Sequence, residues 1–508
     1  MKPASPYRAP AHETAQPTAP TAAPAREHRP QSTPRHLRPN PELRALLRES
    51  DWTQAALAHT VVRLGAEAGV HLRYDRTSVA HWLRGSRPDP QVRRFVAEAF
   101  SRRLGRPVAL AELGMEPGTA GTEHQRATQD EAFGAPGGPH TEPFPPHPAD
   151  RLTALTRPVV APPRADAPSP HPYRLALLAP AATPAHRRAD RFATARARTT
   201  TPDEAASARE HVRFFAQQAD RYGGGHIRTP LAAYLSGLVS SLRTGTDGAH
   251  HRALLSQAAR LSYLLARVYA DEQRHGLAQR AFLTAAELAA EATESTGVAL
   301  ARRALGTQAE QLGYVTESLA LAEAACRSAP DAAAPGTRSF LYAGLAVSRA
   351  ANGDAPGATS ALRHAEQHLA AAPADLTTGP EAPDSDPLGA YRESALLYQS
   401  SRMRRALGDG NGALSDLRAS IRTRPPGERR ARALCHAELA ELLLHAGRLE
   451  EACATWQTFL DEAPLAGSGR VRAARNRIPR LLRPYSRQRC VQQLFARTVL
   501  PRERRTPR

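Results

Sequence analysis

A register of small residues recurs through the second half of the chain and constrains its fold more than any other feature. The register positions are Ala278, Ser318, Ala358, Ala413 and Ala452, at intervals of 40, 40, 55 and 39 residues. An apolar or small residue stands four and seven positions after each one, and another small residue stands twelve positions before it. In the last four repeats a glycine lies five positions earlier, at Gly313, Gly353, Gly408 and Gly447. Small side chains at a fixed spacing let paired helices approach closely, so the pattern predicts an α-helical array.

This register resembles the tetratricopeptide repeat (TPR), in which each unit is a pair of helices. The resemblance implies an all-α solenoid, which we place at residues 201–469. A capping box at Thr201 with Pro202 at the first helical position predicts an abrupt start, and Thr229-Pro230 marks a second helix. The 55-residue interval contains Pro373 to Pro387, which indicates an inserted loop. The alternative is a helical domain without regular repeats.

A separate helical module is predicted at residues 40–114, with four short amphipathic helices. The third helix lies within Tyr74–Gly85, where Val79, Trp82 and Leu83 form one apolar stripe. Its other side carries charged and polar residues. A short helix of this kind packs on a small core and presents its polar face to a partner.

The module resembles the helix-turn-helix (HTH) of bacterial repressors related to the phage repressors. The matching stretches are Thr53-Gln54, Thr77-Ser78-Val79-Ala80-His81-Trp82-Leu83-Arg84-Gly85 and Arg87-Pro88. The resemblance implies phosphate contacts by Gln54 and Arg84, and base contacts by Arg76, Ser78 and His81 in the major groove. The candidate DNA-binding set is Gln54, Arg76, Thr77, Ser78, His81, Arg84 and Arg87. The segment between Gln54 and Thr77 is longer than in that family, and the alternative is a small helical domain that binds protein.

The charge distribution favours a polyanionic partner. The net charge is +19, and residues 35–106 carry 14 Arg against 7 acidic residues, a local balance of +7. Residues 470–508 carry 13 Arg against one Glu, a balance of +12, and we expect them to form basic helices that cap the repeats, followed by a tail. A further hypothesis is that this basic segment contacts nucleic acid without sequence specificity.

Two segments rich in proline have few large apolar residues. Residues 1–39 are predicted to be a disordered arm, and residues 115–200 a disordered Pro-rich linker, because neither buries enough surface to offset its ordering entropy.

The first helices of the repeat pairs predict a concave groove for a peptide, small-molecule or protein effector. Arginine grips carboxylates bidentately and tyrosine supplies contact area. The alternative is that these are ordinary solvated surface residues. The candidate groove residues are Arg260, Tyr263, Arg267, Arg303, Tyr398, Arg402 and Arg405.

Two further motifs extend the resemblance to both parts of the chain. Arg221-Tyr222-Gly223-Gly224-Gly225-His226 and Arg274-His275-Gly276-Leu277-Ala278-Gln279-Arg280, together with the HTH and the repeats, resemble actinobacterial transcriptional regulators, among them negative regulators of sporulation and antibiotic production in Streptomyces. The resemblance implies a transcriptional regulator. We expect a repressor of development or secondary metabolism that binds double-stranded DNA as a homodimer. The alternative is a TPR interaction scaffold without sequence-specific DNA binding.

Patterns typical of enzymes and of metal or membrane proteins are missing from the sequence. Lys2 is the single lysine, which argues against a P-loop and against Schiff-base chemistry, and neither Gly-x-Ser-x-Gly nor His-Glu-x-x-His occurs. The four cysteines are far apart and give no zinc or disulfide spacing. No apolar run approaches the roughly 18 residues of a membrane span. We therefore expect no enzyme activity, cofactor or metal, and a cytoplasmic, nucleoid-associated protein.

Overall fold

In the computed structural model every described regular element is helical. The described residues are 39–115, 147–160, 171–178, 200–244, 248–372, 391–463 and 467–498, and they form 19 α-helices with short 3-10 turns and no strand. The predicted all-α class is confirmed. Residues 1–38 of the predicted arm, the Pro373–Pro387 insertion and the tail after 498 lie outside the described residues.

The N-terminal module contains the four predicted helices, and side-chain caps start three of them. Asn40 accepts from the Leu43 amide at 2.8 Å, and Thr53 accepts from the Ala56 amide at 3.1 Å. Asp75 and Ser78 cap each other reciprocally at the third helix. The apolar stripes meet in one core. The helices are α1 (Pro41–Glu49), α2 (Gln54–Glu67), α3 (Arg76–Leu83) and α4 (Pro90–Leu104).

The connection between α2 and α3 is longer than the three or four residues of a compact HTH turn. It runs over eight residues, 68–75, because α2 ends at Glu67 and α3 begins at Arg76. Gly69 turns the chain with a φ of 77°. Leu72 then folds back against Gly65, whose missing Cβ would lie 2.5 Å from Leu72 Cδ1. The long segment seen in the sequence is therefore a defined turn packed on α2.

The repeat domain is built from successive antiparallel helix pairs, as the register predicts. All five register residues, from Ala278 to Ala452, are fully buried. Gly306 lets the helix that carries Ser318 approach closely, since a Cβ at Gly306 would lie 3.2 Å from the Ser318 carbonyl oxygen. The helices are α6 (Pro202–Tyr222), α7 (Arg228–Thr244), α8 (Ala249–Asp271), α9 (His275–Glu291), α10 (Ser295–Gln311), α11 (Val315–Ser328), α12 (Pro335–Ala351), α13 (Ala355–Ala370), α14 (Glu393–Ala406), α15 (Gly410–Thr423), α16 (Arg429–His445) and α17 (Leu449–Glu462).

Within the predicted linker, two segments pack against the repeats. Helix α5 (Pro148–Val160) buries Leu152 and Leu155 in the same core as α8 and α9, and the Tyr269 hydroxyl donates to the Leu155 carbonyl at 2.9 Å. Residues 171–178 also pack there through Tyr173, which is fully buried. These segments differ from the predicted disordered linker because their few apolar residues fall at helical or turn spacing and find an existing apolar surface.

The end of the repeat domain returns to its beginning. The loop after α6 pairs with the loop before the helix α18 (Gly469–Leu482): Gly225 N donates to Gly467 O at 3.1 Å, and Gly467 N donates to Tyr222 O at 2.8 Å. Asp271 at the end of α8 accepts from Arg430 at 2.9 Å and from Ser468 at 2.8 Å. The array is therefore closed by contacts between its first and last helices.

The basic C-terminal segment caps the array. Helices α18 and α19 (Arg489–Thr498) bury Ile478, Leu482, Val491 and Leu494 in a core shared with α16 and α17. This burial fits the predicted capping role.

The N-terminal module rests on the repeat domain through a buried polar cluster. The Arg102 guanidinium pairs with Glu67 and with Glu98, each at 2.9 Å, and donates to the Tyr173 carbonyl. The Tyr314 hydroxyl, on the repeat side, donates to Glu67 at 3.1 Å. The module is therefore oriented by charge-assisted hydrogen bonds.

Candidate functional site

A central cavity of about 410 Å³ lies inside the closed array. The first helix of every pair from α8 to α16 contributes to its wall, which matches the predicted concave surface. Six arginines line it against three acidic residues, a balance of +3 before any ligand. These residues are Arg267, Arg303, Arg392, Arg424, Arg430 and Arg470, with Asp220, Asp271 and Glu428.

Four of the seven predicted groove residues line this cavity: Tyr263, Arg267, Arg303 and Tyr398. The other three do not. Arg260 pairs with Glu294 at 2.9 Å, Arg402 pairs with Glu310, and Arg405 is exposed. The helical register correctly predicts which helices line the cavity. Arg260 and Arg402 instead form ion pairs with Glu294 and Glu310 and do not line it.

Most charges of the cavity wall are neutralised by partners within the protein. Arg267 pairs with Asp220 at 3.0 Å, and Arg430 pairs with Asp271 at 2.9 Å. Arg424 pairs with Glu428 at 2.6 Å. The Tyr398 hydroxyl donates to Glu438 at 2.7 Å.

Arg303 is different, because it is only 5% exposed and forms no ion pair among the described residues. Its Nη1 donates to Thr307 Oγ1 at 2.5 Å and its Nε to the Phe340 carbonyl at 3.4 Å, while Nη2 is buried without a partner in the part of the chain that the structure describes. The Phe340 ring lies 4.0 Å from the guanidinium carbon. Burial lowers the pKa of Arg303. The protein therefore holds a guanidinium in the cavity with one N–H edge unused.

Tyr391 and Phe340 belong to the cavity but not to the predicted groove. Their rings meet edge to face at 5.3 Å, and no described residue is a hydrogen-bond partner of the buried Tyr391 hydroxyl. Burial raises the pKa of Tyr391, so the phenol stays a hydrogen-bond donor. Tyr391 precedes α14 and directly follows residues that are not described, where no helical register could place it; Phe340 lies on α12 in the register of a first helix and could have been included.

The polar face of α3 is open in the structure. Arg76, Thr77, His81, Arg84 and Arg87 are exposed, and Arg76, Arg84 and Arg87 make no ion pair within the described part of the chain.

The two remaining members of the DNA-binding set are less available. Gln54 is half-buried at the start of α2. The Ser78 hydroxyl donates to Asp75 at 2.8 Å and accepts from the Asp75 amide, so it is engaged in the capping box that starts α3. The sequence reasoning missed this cap, although Asp followed three residues later by Ser before an apolar stripe is a recognisable start signal.

The two glycine-containing motifs have structural roles. In the motif Arg274–Arg280, the Gln279 side chain exchanges two hydrogen bonds with the Arg174 backbone, at 2.9 and 2.7 Å. A Cβ at Gly276 would lie 1.8 Å from the His171 carbonyl oxygen. In the motif Arg221–His226, Gly223 has a φ of 85°, and the Gly225 amide donates a hydrogen bond to the Gly467 carbonyl. This motif therefore takes part in closing the array.

The fold and the cavity together define an all-α protein of TPR-like helix pairs closed around a central site. A family model described as the SP15 N-terminal domain matches residues 43–116, which include most of α1 and all of α2 to α4. No curated protein matches the chain.

Among solved structures, a chain from a crystal structure of the APC/C hetero-tetramer Cut9–Hcn1 is similar over 58% of this chain, with 16% identity and a TM-score of 0.28. The match spans 47% of that chain, just under half of its length.

The described residues contain neither a membrane-spanning helix nor a metal-binding cluster. None of their helices is both long and apolar enough to cross a bilayer. They also hold no group of three or more His, Cys, Asp and Glu side chains arranged for a metal ion.

Proposed function

We propose that this chain is a regulatory binding protein that acts as a helical-repeat interaction scaffold, with the central cavity as its recognition site. The observation that carries the proposal is the wall of the cavity, to which the first helix of each pair from α8 to α16 contributes arginine, tyrosine or phenylalanine. Concave surfaces of this kind are the usual binding surfaces of helical repeats. The same features support a binding rather than a catalytic role.

A matched pair of bulky substitutions tests the cavity as the recognition site. Thr337 lines the cavity, whereas Thr359 is exposed on the second helix of the same pair. We expect Thr337→Trp to abolish capture of the partner from a DNase-treated extract of the native host, because the indole narrows the cavity. Thr359→Trp should capture as the unchanged protein does. Equal recovery with all three proteins would place the partner elsewhere on the surface and reject the proposal.

A second candidate function is that of a DNA-binding transcriptional regulator, a repressor of development or secondary metabolism. The specific observation in its favour is the open face of α3, with Arg76, Arg84 and Arg87 exposed and free of ion pairs within the described residues. Such a protein would act at the nucleoid in the cytoplasm, as a homodimer over two half-sites. The eight-residue connection before α3 departs from the compact HTH turn and is the main structural argument against this candidate.

Selection of bound sequences from a random DNA pool by the full chain tests this candidate. We expect enrichment of a defined sequence and an affinity that falls steeply with salt, because phosphate contacts release counterions. The double variant Arg76→Gln and His81→Asn should lose the selectivity. Arg63→Gln, at an exposed position on α2, is the control and should keep it. A pool that shows no enrichment would eliminate sequence-specific recognition.

The basic C-terminal end is tested by point substitutions, because α18 and α19 are part of the core and their removal would expose it. Arg480 and Arg483 are exposed there. The hypothesis of a non-specific nucleic-acid contact predicts that replacing both with Gln weakens binding to all duplexes by a similar factor and reduces the salt dependence. Unchanged binding to a random duplex would argue against it.

A further inference from the structure

We propose that the central cavity binds a small organic anion, whose carboxylate lies against the Arg303 Nη2 and Tyr391 hydroxyl groups and whose apolar body packs on the aromatic wall. This inference rests on the proposed function, because it names the ligand class of the same cavity. The apolar wall includes Phe282, Leu300, Phe340 and Leu434.

The argument begins with the energetic cost of Arg303. A guanidinium that is only 5% exposed loses most of its hydration, and without a counter-charge that loss is not recovered. Three other arginines of the wall, Arg267, Arg424 and Arg430, each have a carboxylate within 3.0 Å. Arg303 alone among these four is supported by neutral groups. A bound carboxylate would supply the counter-charge that the fold omits.

The surroundings of Arg303 hold the side chain in place in the cavity wall. Gly344 on α12 makes room for it, since a Cβ there would lie 2.8 Å from Arg303 Nε. Thr307 and the Phe340 carbonyl hold Nη1 and Nε, and the Phe340 ring covers the guanidinium plane at 4.0 Å. These contacts leave Nη2 as the unsatisfied edge. A fixed guanidinium with one unpaired N–H edge is the arrangement expected of a ligand-binding arginine.

Tyr391 adds a second donor from a different element. Its buried hydroxyl has no partner among the described residues, and its ring packs on the same Phe340 ring that covers Arg303. The two unpaired donors belong to side chains that both pack on the Phe340 ring. They suit an acceptor group with more than one oxygen, such as a carboxylate. Buried polar groups of proteins are otherwise almost always paired.

The size of the cavity favours a small ligand. The volume of about 410 Å³ falls in the range of sites for small molecules, and the loops at Tyr222 and Gly467 join the first and last helices across the end of the array. A free small acid fits this volume while these loop contacts stay in place. The C-terminal carboxylate of a peptide has the same chemistry and is separated from the free acid by experiment.

Calorimetric titration of the full chain with matched acids and alcohols tests the proposal. The probes are octanoate and benzoate, each against the neutral octanol and benzyl alcohol, and a hexapeptide with a free or an amidated C-terminus. We expect saturable binding of at least one acid, with the matching alcohol weaker by about tenfold or more, because a hydrogen bond to a charged group is lost. Preference for the free-ended peptide over both acids would instead assign the site to a peptide terminus and overturn the small-ligand proposal.

Substitutions in the cavity give the residue-level test. We expect Arg303→Gln to weaken acid binding by about tenfold or more, Tyr391→Phe to weaken it severalfold, and Arg303→Lys to restore part of the loss. Arg405→Gln, an exposed arginine outside the cavity, is the control and should bind normally. Circular dichroism and melting temperatures confirm that each variant is folded, and Tyr391→Phe preserves the ring if Arg303→Gln fails to fold.

Acids that bind no better than alcohols, no saturable binding by any acid, or undiminished acid binding by both Arg303→Gln and Tyr391→Phe would each overturn the proposal. The capture experiment with Thr337→Trp tests the scaffold proposal separately. Failure of the acid titrations with cavity-dependent capture intact rejects only the anion. Failure of both rejects the cavity as a recognition site.

Discussion

At the scale of single residues, some glycines lie where another segment of the chain packs too closely to leave room for a Cβ. Gly276 lies beneath the His171 carbonyl, and its position in a conspicuous sequence motif is explained by the segment that crosses it. The sequence showed the glycine but not its contact partner, because residues 171–178 are embedded in proline-rich sequence. Composition averages over such a stretch and hides the few residues that pack.

Two glycine substitutions test whether residues 171–178 pack on α9. Gly276→Ala would place a Cβ 1.8 Å from the His171 carbonyl oxygen, and we expect it to lower the free energy of unfolding by about 1–3 kcal/mol through overpacking. Gly237→Ala on α7 meets no atom within 4 Å and should raise that free energy by about 0.5–1 kcal/mol, since alanine favours a helix interior. Urea unfolding measures both. Stabilisation by both substitutions would show that residues 171–178 do not rest on α9.

His275, beside Gly276, predicts a dependence of stability on pH. Burial, with a smaller contribution from Arg470, lowers its pKa from 6.5 to about 4. The unfolded chain therefore takes up a proton that the native state refuses, so the contribution of His275 to stability is present above pH 6.5 and is lost as the pH falls toward 4. The full difference is about 3 kcal/mol.

Urea unfolding of the unchanged protein and of His275→Gln between pH 7.5 and 4 isolates this contribution. We expect the variant to lose less stability over that range. His81→Gln, at an exposed position on α3, serves as the control and should follow the unchanged protein. Parallel curves for His275→Gln and the unchanged protein would contradict the assignment.

At the scale of helices and turns, the register of small residues was the most informative part of the sequence. It predicted where helices pair, since all five register residues are buried, and it predicted which helices line the cavity. It did not predict the ion pairs of Arg260 and Arg402, which depend on side-chain reach between helices. It also gave no position for Tyr391, which precedes its helix.

The turn inside each repeat supplies a prediction at this scale. Gly313, Gly353, Gly408 and Gly447 adopt φ values of 86°, 81°, 85° and 76°, and the first repeat has Gln273 at this place with a φ of 62°. A side chain in the left-handed region costs about 1–2 kcal/mol. We expect Gln273→Gly to raise the free energy of unfolding by about 1 kcal/mol.

Gly313→Gln is the reciprocal variant, and it isolates the backbone cost because no atom lies within 4 Å of a Cβ at Gly313. It should destabilise the protein by a similar amount. Thermal melting of both variants makes the comparison. Destabilisation by Gln273→Gly would mean that the Gln273 side chain contributes a contact that outweighs the strain.

At the scale of the whole molecule, the closed array and the docked module share one structural principle: separate parts of the chain are joined by a few buried polar groups. Asp271 joins α8 to α16 and α18, and Arg102 joins the N-terminal module to the repeats. Apolar patterning identifies each part but carries no information about such joints. The relative placement of the parts was therefore beyond the sequence.

The joint at Arg102 also fixes which surface of the module stays free. Glu67 at the end of α2 and Arg102 on α4 face Tyr314, whereas the polar residues of α3 remain exposed. Arg102 lies 5.0 Å from the centre of the Tyr314 ring, so it contacts the repeat side as a cation over an aromatic face as well as by hydrogen bonding. A partner can approach α3 while the module remains docked.

Two variants of this joint should change the shape of the molecule without changing its helices. Tyr314→Phe removes the hydroxyl that bonds Glu67, and Arg102→Met removes the shared cation and leaves two buried carboxylates uncompensated, a cost of about 3–5 kcal/mol. We expect the radius of gyration from small-angle X-ray scattering to increase modestly for Tyr314→Phe and more for Arg102→Met, as the module leaves the repeats. Arg106→Gln is the control, because its exposed ion pairs with Glu49 and Glu112 lie within the module, and it should scatter as the unchanged protein does. Unaltered scattering by both joint variants, with helicity intact, would show that the module is held by other contacts, and the open face of α3 would then no longer follow from the Arg102 joint.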